Sequence, residues 1–176
     1  SVLNQNRIDR IKEIVIVDYE SSDNTLDIFS NTLKNSDLSH SILKCNKPGK
    51  SPALEMGLDK CVGDYVVILD DDNILECDYL DNALDLIKDN NIGCFSSYGL
   101  ADKSYILPDW FESNKSVFAI GSPQQNTTND WVWGAGSMIK LEAWNLLREN
   151  GFKFFLNPAR TEASVPINIG GEDVEL

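Results

Sequence analysis

The chain has 176 residues, 42% of them apolar and 24% charged, which suits a single domain with a proper core rather than a disordered chain. Its 15 Lys+Arg against 28 Asp+Glu give a net charge of −13. That balance argues against nucleic acid, which needs a basic footprint, and against polybasic adhesion to anionic lipid; a phosphorylated ligand would need a local cation, such as a metal.

From the N-terminus, the β-branched run Glu13-Ile14-Val15-Ile16-Val17-Asp18 predicts a strand buried on both faces. Ser21, Ser22 and Asp23 offer caps for a helix carrying Leu26, Ile28, Phe29 and Leu33. A short strand over 41–45 and a Lys-Pro-Gly-Lys turn follow, after which Ser51 is set to cap a helix with Pro52 in its first position. A buried strand over 65–69 runs into Asp70-Asp71-Asp72, and a helix over 78–88 carries Leu80, Ala83, Leu84 and Ile87 at helical spacing. This alternation predicts a parallel sheet covered by helices on both faces. Residues 101–130 hold Pro108 and Pro123 with little periodicity and read as a long loop, of a kind usually functional or mobile. Strand-like 131–139, a helix over 142–149 and strand-like 152–156 come next; Gly170-Gly171-Glu172-Asp173 looks like the start of another helix.

The longest apolar stretch, over 66–69, is far short of the roughly 20 residues of a membrane helix. Cys45, Cys61, Cys77 and Cys94 form no C-x-x-C pair, so zinc and dithiol chemistry are not indicated, and they read as reduced core residues in a cytosol. No signal peptide is visible, and Ser1 in place of an initiator Met points to a processed, trimmed or truncated chain.

The acid triplet follows a buried strand, and ligands of parallel α/β sheets sit beyond the carboxyl ends of strands. Three adjacent carboxylates suit Mg²⁺ or Mn²⁺, and they equally suit an exposed acidic lead into the following helix. An EF-hand loop is rejected, since Leu75 and Asp81 stand where Gly and Glu are required. A phosphatase of the haloacid dehalogenase type is weakened by Asn73 and Ile74. Gly49-Lys50-Ser51 offers an ammonium and backbone N–H groups before a helix, though a plain turn explains it as well. Gly134-Ala135-Gly136 permits close backbone approach, either to a ligand or within a tight helix–sheet contact. Trp131 and Trp133 read as core or as a stacking face for a sugar ring. Gly171-Glu172-Asp173 is explained by a helix dipole, and a carboxylate held ionised there also suits a general base. His40 is expected to be exposed and without a catalytic role.

The order of these blocks is more specific than any one of them. The run 14–25 ending in Ser21-Ser22-Asp23-Asn24-Thr25, then Gly49-Lys50 with Ala53-Leu54 and Gly57-Leu58, then Gly63-Asp64-Tyr65 leading to the Asp triplet, then Trp133-Gly134-Ala135-Gly136 and Gly171-Glu172-Asp173, resembles glycosyltransferase family 2 over nearly the whole chain. The resemblance implies a Rossmann-like α/β fold (GT-A) with a mostly parallel central sheet. It implies one catalytic domain over 1–176, its nucleotide-sugar half at 1–100 and its acceptor half at 101–176. It implies an inverting transfer from a UDP- or GDP-linked sugar to a saccharide or lipid-linked acceptor. By the same resemblance Asp72 and Asp70 would hold Mn²⁺ or Mg²⁺, and Asp18, Glu20, Lys50, Asp70 and Asp71 would face the donor. Asp173 would be the base; Trp133, Gly134, Ala135, Gly136, Arg160 and Glu172 would lie on the sugar and acceptor side.

The chain departs from the family in three places. Its usual first strand is not seen before Ser1, Tyr19 replaces a common second Asp, and Leu54-Glu55 replaces an Arg-Asn or Leu-Asn pair. The chain therefore reads as a fragment lacking that strand and a tail. The alternatives are a metal-dependent nucleotidyltransferase or phosphatase on a related fold, and a degenerate nucleotide- or sugar-binding domain. A cytoplasmic setting at the inner face of the membrane, and a role in surface polysaccharide synthesis, follow by family association alone.

Overall fold

The computed structural model describes residues 1–88, 91–121 and 132–154. Strand β1 (Glu13–Asp18) pairs in parallel with β2 (Ser39–Lys44), Glu13 opposite Ser39 and Asp18 opposite Lys44, with α1 (Thr25–Lys34) as the crossover. Asp23 starts α1 by accepting from the Thr25 backbone N–H at 3.0 Å, and the Thr25 hydrogen bonds hold its carboxyl below the ordinary carboxylate range. Leu33 on this helix is buried, whereas Ile28 is exposed. Helix α2 (Lys50–Lys60) follows, then β3 (Tyr65–Ile68), α3 (Tyr79–Leu86), β4 (Cys94–Phe95), β5 (Ser137–Lys140) and α4 (Leu141–Glu149). Strand β5 lies between β3 and β4, antiparallel to both.

The period of two along β3 and β5 sorts the interior into two layers. Ile68 and Ile139 face Leu58 of α2 with Leu141 and Trp144 of α4. Met138, one residue away, faces Leu80 and Ala83 of α3, with Val67 and Ile11 packed alongside. The N-terminal segment is stitched to that second layer: Gln5, buried at 4% exposure, donates to the Glu76 carbonyl at 2.7 Å and accepts from the Leu80 N–H at 3.1 Å.

Helix α2 joins the two strand groups, for no ladder connects β1 to β3 among the described residues. Gly57 lies against Val17 so closely that a Cβ there would stand 3.2 Å from its Cγ2. The Val62 N–H, just past the helix, donates to Glu13 Oε1 at 2.6 Å. The helix therefore runs opposite to β1, and its N-terminus lies at the strand's carboxyl end.

Several expectations change on folding. Residues 14–17 of β1 are only half-buried, because β2 is its one strand neighbour among the described residues. Helix α2 begins at Lys50 with Gly49 as its cap residue (φ 105°), and Ser51 is buried inside the first turn instead of capping it. The strand expected over 131–139 reduces to β5, since the Gly134–Gly136 segment turns rather than extends; Trp131 lies outside the described residues. Residues 152–154 form no strand: Phe152 and Phe154 pack on Trp144. The loop expectation over 101–130 meets a 3-10 segment at Glu112–Phe118, with Trp110, Phe111 and Phe118 clustered. Cys77 is exposed and so is not a core residue, and His40 is exposed as expected. No helix among the described residues is long and apolar enough to cross a membrane.

Trp144 has no exposed surface and donates its indole N–H to Asp59 Oδ1 at 3.0 Å. Trp144→Ala should cost about 3–5 kcal/mol, read as a lowered denaturation midpoint. Burial pushes the Cys61 and Cys94 thiols up to about 11. At pH 8 both are then almost wholly protonated, so a thiol reagent should label exposed Cys77 first and half-buried Cys61 and Cys94 more slowly.

Candidate functional site

The carboxyl ends of β1 and β3 and the N-terminus of α2 meet at one end of the fold, where the Asp70–Asp72 turn, Lys50 and the Gly134–Gly136 turn gather. Asp18 closes β1 and is buried at 8% exposure. Its main-chain oxygen accepts from Cys45 N–H at 2.8 Å, which extends the parallel ladder, and its Oδ1 accepts from Ser21 N–H at 3.3 Å. Its carboxylate is thus tied into the turn that follows. Within that turn Glu20 takes a left-handed backbone (φ 52°), a conformation that costs a residue with a Cβ about 1–2 kcal/mol. The side chains of Tyr19 and Glu20 are exposed.

The strand β3 ends two residues before Asp70, whose carbonyl accepts from Asn73 N–H at 3.2 Å and so turns the chain back toward α3. Asp71 and Asp72 are exposed on this turn, and Asn73 Oδ1 is a buried oxygen without a hydrogen-bond partner among the described residues. Lys50, first in α2, places Nζ 3.2 Å from Asp70 Oδ2. The structure thus brings together two residues twenty positions apart.

A divalent cation can be tested against these donors. The turn offers hard oxygens, namely the carboxylates of Asp70 and Asp72 and the orphaned oxygen of Asn73, which is the chemistry Mg²⁺ and Mn²⁺ prefer. Among the described residues no group of three or more acidic, histidine or cysteine side chains converges as a cage. The set therefore suits an ion that keeps waters and takes further oxygens from a phosphate, as Mg²⁺ does with nucleotide substrates.

The glycine turn abuts the same end of β3. Gly136 N–H donates to the Ile68 carbonyl at 2.8 Å, and the hydroxyl of half-buried Tyr79 donates to the Gly136 carbonyl at 3.1 Å. Burial pushes that phenol well above the ordinary tyrosine range, with the Cys94 thiol adding to the effect. Ser137 Oγ, fully buried, donates to the Gly134 carbonyl at 2.8 Å. Gly136 has φ 70°, and a methyl there would collide with Ser97 Oγ. The close approach at Gly136 is therefore internal, to Ser97, while Ala135 is half-buried at the edge of the turn. Trp133 is only 6% exposed.

Glu55 does not take the place of a phosphate contact. It accepts from Phe154 N–H at 3.0 Å and pairs with Arg148 at 3.5 Å, on the α4 side of α2. Tyr79, Ser97, Asn73 and Ser137 support the site without having been singled out in the sequence. Helical spacing marks Tyr79 for burial but does not aim its hydroxyl, and the others carry no pattern at all. Asp173, Glu172 and Arg160 lie outside the described residues. A surface cleft of about 420 Å³ between Gly63 and the outer face of α4 adjoins the opposite end of β3, away from these groups.

A family model described as glycosyl transferase family 2 matches residues 1–170. A curated protein of Haemophilus influenzae, named an uncharacterized glycosyltransferase, is 26% identical over 80 residues, covering 46% of this chain and 32% of that protein. Crystal structures of S. aureus TarS 1-349 align over 86% of this chain and 43% of theirs, at 21% identity and a TM-score of 0.60. The same protein in complex with UDP-GlcNAc gives 21% identity and 0.59 over 86% of this chain and 42% of that one. Its complex with UDP gives 18% and 0.59 over 86% and 43%. At these identities the structural likeness speaks for the fold. The chain spans about a third of the curated relative and less than half of the TarS structures.

The tight turn makes Gly136→Ala a sharp test of the local geometry. The substitution should destabilise the fold by at least about 1–2 kcal/mol, visible as a lower melting temperature. Ser97→Ala should recover part of the loss by clearing the collision, but not the part that comes from the positive φ.

Proposed function

The chain belongs to glycosyl transferase family 2 and has its α/β fold, and from that premise we propose that it forms the donor side of an inverting, nucleotide-sugar-dependent glycosyltransferase. The observation that carries this reading is the meeting of Lys50, the α2 N-terminus and the acidic turn 70–72 at the carboxyl end of β3. A diphosphate needs a cation and N–H donors beside it, and Lys50 with the first turn of α2 offers both here.

Asp18, Glu20 and Asp71 face the nucleoside and ribose in this reading, while Lys50 and the first turn of α2 hold phosphate oxygens. Asp72 and Asp70 hold Mn²⁺ or Mg²⁺, which when bound neutralises charge on the departing diphosphate. The segment Gly134–Gly136 borders the sugar through its backbone, with Trp133 as support beneath it, and Arg160 and Glu172 belong to the acceptor side. The carboxylate of Asp173 takes the proton of the acceptor hydroxyl as its oxygen bonds to the anomeric carbon. The bond from that carbon to the diphosphate oxygen breaks with its electron pair on the oxygen, and a single displacement inverts the centre. The acceptor is a saccharide or a lipid-linked saccharide, in a cytoplasmic reaction that serves surface polysaccharide assembly. The TarS complexes with UDP and UDP-GlcNAc support uridine as the first donor base to try.

Melting temperatures with UDP and with GDP, each with and without Mn²⁺, test the donor site. A nucleotide at about 100 times its dissociation constant should stabilise by roughly 2.7 kcal/mol, with the rise dependent on metal and lost in Asp72→Ala. No rise with either nucleotide would favour a degenerate domain over a transferase. In a transfer assay Asp173→Asn should lower turnover by about 10²–10⁴ with little change in donor affinity. Release of phosphate from a nucleotide or ester without any acceptor would instead favour a phosphatase or nucleotidyltransferase.

A further inference from the structure

We infer that Lys50 is the resting counter-cation of the acidic turn. Its ammonium holds Asp70 while the site is empty and shifts to the diphosphate when the donor arrives, so that metal and nucleotide bind as a pair rather than singly. The inference rests on the donor-site reading above and concerns how that site is kept before it is filled.

The geometry gives the ammonium and the ion the same target. Nζ lies 3.2 Å from Asp70 Oδ2, one of the carboxylate oxygens offered to a divalent cation. Two cations on one oxygen repel strongly at contact distance, so Lys50 in this position opposes metal binding to the empty turn. The side chains are 40% and 32% exposed, open to water, to an ion and to phosphate.

The backbone sets a second bias. Lys50 is the first residue of α2, where the helix dipole disfavours a cation and favours an anion. The ammonium is therefore held by neighbouring anions such as Asp70 and not by its own helix. Lysine suits the exchange because three donors on a flexible stem can swing from carboxylate to phosphate without moving the backbone. Once the ammonium is on phosphate, Asp70 is released to the ion and the phosphate adds oxygens to it. Each ligand then raises the affinity of the other by the same factor.

Binding of Mn²⁺, followed by loss of the electron paramagnetic resonance signal of the free ion, reads this directly and needs no turnover. It is measured for the protein alone and with saturating UDP or GDP, in wild type, Lys50→Met, Lys50→Arg, Asp72→Asn and the Lys50→Met/Asp72→Asn double variant. Lys88→Met, at an exposed lysine paired with Asp85, controls for net charge. Circular dichroism and melting temperature confirm that each variant is folded. Lys50→Met should bind Mn²⁺ alone about three- to tenfold more tightly than wild type, and the tightening conferred by nucleotide should shrink. Lys50→Arg, which keeps the positive charge, should keep the weak binding of Mn²⁺ alone, and the double variant should lose the gain.

Unchanged or weaker Mn²⁺ binding in Lys50→Met overturns the inference, as does an equal gain in Lys88→Met or a gain that survives Asp72→Asn. If wild type still binds Mn²⁺ more tightly with nucleotide in those cases, the donor-site reading stands without it. If no form binds Mn²⁺ with either nucleotide, the donor-site reading falls and the inference falls with it.

Discussion

The seating of α2 is the constraint on which the rest of this structure depends. One face of the helix lies on β1, close enough at Gly57 that a Cβ would press on Val17, and another supplies Leu58 to the core shared with β3 and β5. Since no ladder joins β1 to β3 among the described residues, their relative position is carried by this helix and the core beneath it. The bond from Val62 N–H to Glu13 fixes the far end, so the near end, Gly49-Lys50, must fall at the carboxyl ends of the strands. Dispersion and apolar burial do the holding; the polar site is a consequence of where the helix begins.

The other side of α2 carries a second polar arrangement with a different purpose. Arg148 lies between Asp59 at 3.1 Å and Glu55 at 3.5 Å, above the Trp144 ring, while Trp144 itself donates to Asp59. Exposed ion pairs contribute little, but here the carboxylates also accept from a fully buried indole and from the Phe154 backbone. Their removal would leave buried donors unsatisfied, which costs more than the pairs themselves contribute. Glu55 has this role: it ties α2 to α4 and to the chain leaving it.

The net charge of −13 also takes on meaning once charges have positions. Three carboxylates in a row are tolerable because Asp71 and Asp72 remain in water and Asp70 is met by an ammonium. On the proposed reading, an anionic donor reaches this acidic protein where Lys50 and the N-terminus of α2 offset the local charge.

Much of this was legible in the sequence. Unbroken β-branched runs gave β1 and β3, helical spacing gave α3 and α4, and the acid triplet after a strand marked the site end of the fold, because periodicity and strand-end chemistry are local properties. What only the tertiary structure decided depends on neighbours far along the chain. Partial burial of β1 follows from its having one strand neighbour, and the turn at Gly134–Gly136 from contacts with Ile68, Tyr79 and Ser97. The sequence by itself determined which residue types could hold a cation and a phosphate. The fold decided that Lys50 stands on Asp70, because a contact across twenty residues is set by how a helix packs and not by any pattern within it.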